Sequence, residues 1–266
     1  MHLKRWLTGI IALPILIYLI GFGQRWIFYL LIYLVSLTGL FEFYKMTASD
    51  LPWPVKWSGY LLSLLLFLFI YEGDIYYLLG VIPILAFVPM TLFMLSAHSI
   101  RRQSTGDIGK ALLGPVYICL PLSMLIMIDR YPHGNIWIFF LLAVIFASDT
   151  GAFYCGRLFG KHKLYEAISP GKTWEGAIGG VISSVIVALW FLHILRLHRI
   201  DPGILALVVG LSVAGQIGDL SESMLKRSHG VKDSSRILPG HGGILDRVDG
   251  LLFAIPVFYM YLRFKI

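Results

Sequence analysis

Four aspartates lie where polar loops meet apolar segments of this sequence. Asp149 and Asp219 lie at the ends of apolar runs, whereas Asp246 and Asp249 lie at the start of the last one, and lysines and arginines accompany both pairs. Carboxylates near membrane depth are energetically costly and by default suggest a functional site. Divalent metal ions take hard oxygen ligands, and Lys and Arg side chains bind phosphate. These residue types therefore indicate a site for a metal ion and a polyphosphate.

The spacing of polar residues around the second polar loop, residues 221–247, supports this interpretation. If the apolar segment before the loop continues as a helix, four polar side chains share one face at i, i+3, i+4 and i+7. They are Asp219, Glu222, Ser223 and Lys226. Asp246 and Asp249 are likewise three residues apart. Between the two groups, residues 239–243 read PGHGG, whose glycines and successive N–H groups suit an anion. We expect His241 to donate to phosphate rather than to bind metal.

The first polar loop, residues 150–175, combines glycines with basic residues. Near its end Ser169 is expected to cap a helix whose free N–H groups accept phosphate, with Lys172 adding positive charge. The loop is not a Walker A motif, because the order GxxxxGK[ST] is absent. Alternatively, the loop is only a basic turn with a helix cap beside the membrane, and it binds no substrate.

The composition identifies an integral membrane protein. Of 266 residues, 58% are hydrophobic and 14% charged, with a mean hydropathy of +0.78. A globule of this length has too little interior to bury so much apolar surface. Apolar segments of about 20 residues predict an all-α polytopic fold with about nine transmembrane helices. The predicted spans are 6–23, 26–44, 57–71, 75–97, 111–128, 135–149, 176–195, 203–220 and 248–263.

The basic residues predict the orientation of these spans. The chain has 22 Lys and Arg against 15 Asp and Glu, a net charge of +7. With a cytoplasmic N-terminus, sixteen basic residues fall on the cytoplasmic face and six on the other, as the positive-inside rule requires. Loops 150–175 and 221–247 are then both cytoplasmic. The positive excess is explained by topology and phosphate binding, so we expect no nucleic-acid partner.

The second loop also carries a long signature. Residues 223–249 read SMLKRSHGVKDSSRILPGHGGILDRVD, which resembles the signature of the phosphatidate cytidylyltransferases, or CDP-diacylglycerol synthases. The matching positions are Ser223, Lys226, Arg227, Lys232, Asp233, Pro239, His241, Gly242, Gly243, Asp246, Arg247 and Asp249. The loop from Asp149 to Gly176, which contains the element SPGKTWEG, also resembles the second polar segment of that family. We expect residues 1–110 to be a scaffold of transmembrane helices with dimer or lipid contacts, and 111–266 to be the catalytic region.

The resemblance implies a bacterial plasma-membrane enzyme that makes CDP-diacylglycerol and pyrophosphate from CTP and phosphatidic acid, with its active site facing the cytoplasm. It implies Mg²⁺, a second, monovalent cation such as K⁺, and a homodimer among membrane lipids. Asp219 and Asp246 would be metal ligands, with Asp149 and Asp249 as further candidates. Lys226 and Arg227 would act with Asp219 and Asp246 in catalysis. The residues expected to bind substrate are Lys172, Ser169, Lys232, His241, Gly242, Gly243, Ser223 and Arg247. Asp233 or Asp249 would alternatively orient Arg227 or His241.

Two other functions fit part of the pattern. A CTP-dependent lipid kinase of the polyprenol type would use the same metal and phosphate groups, but its alcohol nucleophile needs a base. An ion-coupled transporter would use intramembrane acids as an ion path. Transporters, however, usually show internal repeats and helices broken at the midplane, whereas these acids cluster at one interface beside basic residues.

Overall fold

The computed structural model describes residues 14–73, 87–95, 104–235, 237 and 242–265. The chain divides into two units. The first unit contains residues 1–127 and 233–245, and the second contains residues 128–232 and 246–266. Residues 233–245 thus belong with the N-terminal helices, although their neighbours on both sides in the sequence belong to the second unit.

Long apolar helices build the first unit. Residues 14–21 and 87–95 are helical. The complete helices are α1 (Arg25–Thr47), α2 (Trp53–Glu72), α3 (Ser104–Gly114) and α4 (Leu120–Asp129), with a π-helical turn (Pro115–Cys119) joining α3 to α4. A proline lies in the first turn of α2, where its missing N–H costs nothing, and Gly73 ends the helix in the left-handed conformation (φ 84°).

The second unit contains four long helices and one short β-hairpin. Its elements are α5 (Gly134–Phe159), β1 (Lys163–Tyr165), β2 (Ser169–Thr173), α6 (Trp174–Leu195), α7 (Pro202–Ser228) and α8 (Leu245–Lys265), the last of which begins at the end of the first unit. The two strands pair antiparallel. The hairpin is a departure from the all-α prediction, and it occupies part of the predicted loop 150–175.

Six helices of the described residues are long and apolar enough to cross a membrane: α1, α2, the continuous run Thr105–Asp129, α5, α6 and α7. The chain is therefore a helical membrane protein. Of the predicted span 6–23 the structure describes residues 14–23, of which 14–21 are helical, and of the predicted span 75–97 it describes residues 87–95, which are helical. The predicted span 248–263 corresponds to α8, which is helical but is not among the six because charged residues lie near both of its ends. The total of nine stays a prediction.

Helices α5 and α6 approach each other backbone to backbone. A methyl group at Gly151 would overlap Ser183, and one at Gly179 would overlap Cys155. Such small-residue contacts let helices pack closely where lipid surrounds them. The opposite face of α6 is exposed, with Ile182 and Ile186 more than half accessible. The face of α6 that carries Gly179 therefore packs against α5, and this packing fixes the position of α6 and of the hairpin that precedes it.

We expect Gly179→Ala to lower the thermal stability of the protein. The added methyl group has no room beside Cys155, and overpacking of this kind costs about 1–3 kcal/mol. The matched control is Gly210→Ala in α7, where the nearest atom to an added methyl group is Val257 Cγ1 at 4.0 Å. Thermal unfolding in detergent measures both variants, and equal melting temperatures would contradict the packing described for α5 and α6.

Candidate active site

Helix α7 carries the polar face that the residue spacing predicted. Asp201 caps the helix by accepting a hydrogen bond from the Ile204 N–H at 2.8 Å, and the helix continues to Ser228. Ser223 Oγ donates to Asp219 Oδ1 at 3.4 Å. Lys226 Nζ donates to Glu222 Oε2 at 2.8 Å. The predicted alignment of these four side chains on one face is confirmed.

Lys226 on α7 contacts two carboxylates, one on its own helix and one on α8. Its ammonium group lies 2.7 Å from Asp246 Oδ1 as well as 2.8 Å from Glu222 Oε2. The side chains of Lys226, Glu222 and Asp246 are 12%, 0% and 9% exposed. One ammonium group therefore faces two buried carboxylates. Glu222 Oε1 is buried and has no hydrogen-bond partner among the described residues.

Lys172 and Asp219 form a second pair. Lys172 Nζ, on β2, lies 2.7 Å from Asp219 Oδ2, and both side chains are partly exposed. The pair brings the first polar loop to the polar face of α7. A lysine and an aspartate predicted from separate sequence segments are thus in direct contact.

The prediction that Ser169 caps a helix is wrong. Ser169 begins β2 opposite Tyr165, so the antiparallel pairing holds it in extended backbone. Thr173 caps α6 instead, because its Oγ1 accepts a hydrogen bond from the Gly176 N–H at 3.1 Å. The helix N-terminus therefore lies four residues after the predicted position, and Ser169 is part of the hairpin.

Glu175 secures the hairpin to the start of α6. Its carboxylate accepts hydrogen bonds from the backbone N–H groups of Lys161 and His162 and contacts His162 Nδ1 at 2.6 Å. Within the hairpin, Lys163 Nζ donates to the Pro170 carbonyl at 2.6 Å. These contacts hold both ends of the segment that carries Lys172.

A cavity of about 630 Å³ opens between the hairpin, α5 and α7. Asp149, Asp219 and Lys172 line it, as do the apolar side chains of Phe153 and Leu164. Its volume is in the range of small-molecule sites, which typically combine apolar walls with a few polar groups. Ser169 also lines this cavity. Four predicted site residues therefore share one cavity.

Helices α7 and α8 touch through their backbones near the second pair of aspartates. A Cβ built at Gly218 would lie 2.5 Å from the Asp249 carbonyl oxygen. Asp249 Oδ1 accepts a hydrogen bond from the Gly250 N–H at 2.8 Å. Only a glycine at residue 218 permits this approach. Asp249 therefore lies beside Gly218, the residue that precedes Asp219.

The remaining predicted site residues differ in their contacts and in their exposure. Arg227 donates from Nε to the Ile168 carbonyl and from Nη1 to the Val231 carbonyl, each at 3.4 Å, so its side chain lies against the turn of the hairpin. Lys232 and Arg247 are exposed. Gly242 has a left-handed φ of 83°, and Gly243 is buried. His241 lies outside the described residues.

The carboxylates suit a hard cation. Mg²⁺ is usually held by one or two carboxylates together with substrate phosphates and water. Within the described ranges, no three Asp, Glu, His or Cys side chains converge on one metal position. The Asp149 and Asp219 carboxylates, which line one cavity, have the chemistry and the number that fit such an ion.

Two buried glutamates, Glu42 and Glu222, are not among the predicted catalytic, metal or substrate-binding residues. Glu222 was placed on the polar face of α7, and its i, i+4 spacing to Lys226 was the signal for their contact. Glu42 was overlooked within the predicted span 26–44, where a carboxylate is out of place in an apolar run. Its carboxylate accepts hydrogen bonds from residues about 200 positions later in the chain.

Comparison with known proteins supports the sequence signature. A sequence profile described as the cytidylyltransferase family matches residues 3–265. A protein named phosphatidate cytidylyltransferase from Bacillus subtilis (strain 168) is 35% identical over 266 residues, which covers 97% of each chain. A protein of the same name from Staphylococcus epidermidis is 36% identical over 255 residues, 95% of this chain and 96% of the relative. Another, from Haemophilus influenzae, is 46% identical over 138 residues, 50% of this chain and 48% of the relative. The resemblance is confirmed, and the chain belongs to the cytidylyltransferase family.

Proposed function

We propose that this protein transfers the cytidylyl group of CTP to phosphatidic acid, giving CDP-diacylglycerol and pyrophosphate. The observation that carries the proposal is the contact of Lys226 with Asp246 and Glu222, beside the pair of Lys172 and Asp219. Membership of the cytidylyltransferase family and relatives named phosphatidate cytidylyltransferase support the choice of substrates.

The reaction needs charge neutralisation more than proton removal. The phosphate of phosphatidic acid is anionic near neutral pH, so its oxygen attacks the α-phosphorus of CTP without a strong base. A new phosphorus–oxygen bond forms to the lipid phosphate as the bond from the α-phosphorus to the bridging oxygen breaks, and pyrophosphate leaves. The obstacle is repulsion between two anions. Lys172 and Lys226 reduce it by binding phosphate oxygens and aligning the attack.

Asp219 and Asp246 would hold Mg²⁺, with Asp149 and Asp249 as further candidates. When bound, Mg²⁺ polarises phosphate oxygens and stabilises the charge that develops on them. A monovalent cation such as K⁺ is proposed for a second position. In both ion pairs a lysine ammonium neutralises the carboxylate, so binding of a magnesium nucleotide would free each lysine to bind phosphate.

The other proposed contacts surround these groups. Ser169 lines the 630 Å³ cavity together with Phe153 and Leu164, and we assign the apolar wall to the acyl-chain side of the lipid. Arg227 acts with the lysines on the triphosphate. The remaining proposed substrate contacts are Ser223, Lys232, His241, Gly242, Gly243 and Arg247.

The proposed setting is the plasma membrane of a bacterium, with nine spans, a cytoplasmic N-terminus and the site facing the cytoplasm. The asymmetric distribution of Lys and Arg supports this orientation. We further propose a homodimer, with the helices of residues 1–110 as the scaffold that contacts lipid or the second copy. Residues 111–266 would supply the catalytic groups.

CTP labelled separately on the α- or γ-phosphate tests the proposed reaction. We expect α-label in the lipid product and γ-label in pyrophosphate, because the cytidylyl group carries the α-phosphorus. Purified protein, phosphatidic acid and Mg²⁺ suffice for the assay. Transfer of the γ-label to lipid would instead identify a CTP-dependent lipid kinase.

A further inference from the structure

Glu42 is a buried carboxylate with four hydrogen-bond donors. Its side chain, on α1, is fully buried. Oε1 accepts from Ser235 Oγ at 2.5 Å and from the Ile244 N–H at 3.0 Å. Oε2 accepts from Ser234 Oγ at 3.2 Å and from the Leu245 N–H at 2.8 Å. Each oxygen thus receives one hydroxyl and one backbone donor, all from the first unit.

The donors come from the two ends of one loop. Ser234 and Ser235 begin the loop that ends at Leu245, so a single carboxylate ties both of its ends to α1. Leu245 is also the first residue of α8, whose initial N–H groups lack partners within the helix. A negative charge at a helix N-terminus is favourable. Glu42 therefore supplies, from a distant helix, the cap that α8 needs.

Space around the carboxylate is tightly filled. A Cβ built at Gly243 would lie 2.6 and 2.7 Å from the two Glu42 carboxylate oxygens and would overlap Ser234 Oγ. A glycine at residue 243 is therefore required for the contact to form. This gives a packing reason for a glycine at this position, beside the substrate contact that the sequence predicts for it.

We propose that Glu42 is a positioning residue for the cytidylyl transfer, because its carboxylate holds the backbone N–H groups of Ile244 and Leu245, and Asp246 directly follows Leu245 in the chain. The expected effect on kinetics rests on the proposed function, whereas the effect of Glu42 on the backbone around Leu245 does not depend on it. Partners that orient the ligands of a metal site typically change metal affinity or activity by about 10- to 100-fold when they are lost.

Hydrogen exchange in Glu42→Gln tests the structural part. The amide nitrogen of glutamine can only donate, so it cannot accept from an N–H or hydroxyl group. Ile244 and Leu245 donate to different carboxylate oxygens, so we expect at least one of their backbone amides to exchange at least about tenfold faster than in the wild type. Glu72→Gln, the same change at the exposed end of α2, should leave them unchanged. If both of these amides exchange at the wild-type rate in a folded Glu42→Gln variant, the proposal is overturned.

Kinetics of the full-length protein in detergent test the positioning role. At a temperature well below unfolding, we expect Glu42→Gln to lower kcat by about 10- to 100-fold and to raise the Mg²⁺ concentration for half-maximal activity. Gly243→Ala should do the same. If Glu42→Gln does not fold, Ser235→Ala removes one donor of four and should give a smaller change of the same kind. A lowered melting temperature with unchanged kcat and Mg²⁺ requirement would overturn the role. A wild type that makes no CDP-diacylglycerol would refute the proposed function instead, without affecting the exchange result.

Discussion

Asp246→Asn is expected to lower kcat by about 100- to 1,000-fold, the range seen when one preorganised electrostatic group is lost from an active site. Asparagine keeps the shape of the side chain, which is buried against Lys226. It removes the negative charge that we propose for cation binding. The Mg²⁺ concentration for half-maximal activity should therefore rise together with the fall in kcat. Steady-state formation of CDP-diacylglycerol across a Mg²⁺ series measures both effects.

Asp50→Asn is the matched control for this variant. Asp50 is exposed, and its described side-chain contact is with the neighbouring Ser49. Its loss should leave kcat and the Mg²⁺ requirement within about twofold of the wild type, since surface substitutions usually have small effects. Activity of the Asp246→Asn protein within the same twofold range at every Mg²⁺ concentration would contradict the role assigned to Asp246.

Lys226→Met is expected to destabilise the fold as well as to abolish most activity. Methionine has nearly the length of lysine but leaves the carboxylates of Glu222 and Asp246 buried without their ammonium partner. Breaking a buried ion pair in this way costs about 3–5 kcal/mol. Loss of the phosphate-binding charge should lower kcat by about 100-fold. Thermal unfolding and product formation measure the two effects separately.

Adding Glu222→Gln to this variant separates stability from catalysis. The second change neutralises the fully buried carboxylate, so we expect much of the melting temperature to return while activity stays low. Lys110→Met is the control, because Lys110 pairs with Asp107 at 3.6 Å in a more exposed position and surface pairs contribute at most about 1 kcal/mol. Recovery of wild-type activity in the double variant would show that Lys226 acts only through folding.

Local sequence pattern was sufficient to predict the polar face of α7. Asp219, Glu222 and Lys226 are separated by helical intervals, and the segment is long enough to remain helical beyond the membrane. The sequence could also have indicated the contact between Lys226 and Asp246, because both residues belong to one short signature. Such features depend on residues that are at most 20 positions apart.

Features that depend on pairing or on distant residues were not predicted. Nothing near Ser169 distinguished a helix cap from a strand, because the decision depends on pairing with β1. The contacts of Glu42 join residues 192 to 203 positions apart. Helix periodicity carries no information about such partners. The buried charge in an apolar segment was the available signal, and it indicates a need for partners without naming them.

The most direct test of the central claim is pyrophosphate release by the purified protein. With CTP, phosphatidic acid and Mg²⁺ present, we predict one pyrophosphate released for each CDP-diacylglycerol formed. Omission of the lipid or the metal ion should stop release, and Asp246→Asn should slow it in parallel with product formation. Folded wild-type protein that releases no pyrophosphate with all three components present would contradict cytidylyl transfer at this site.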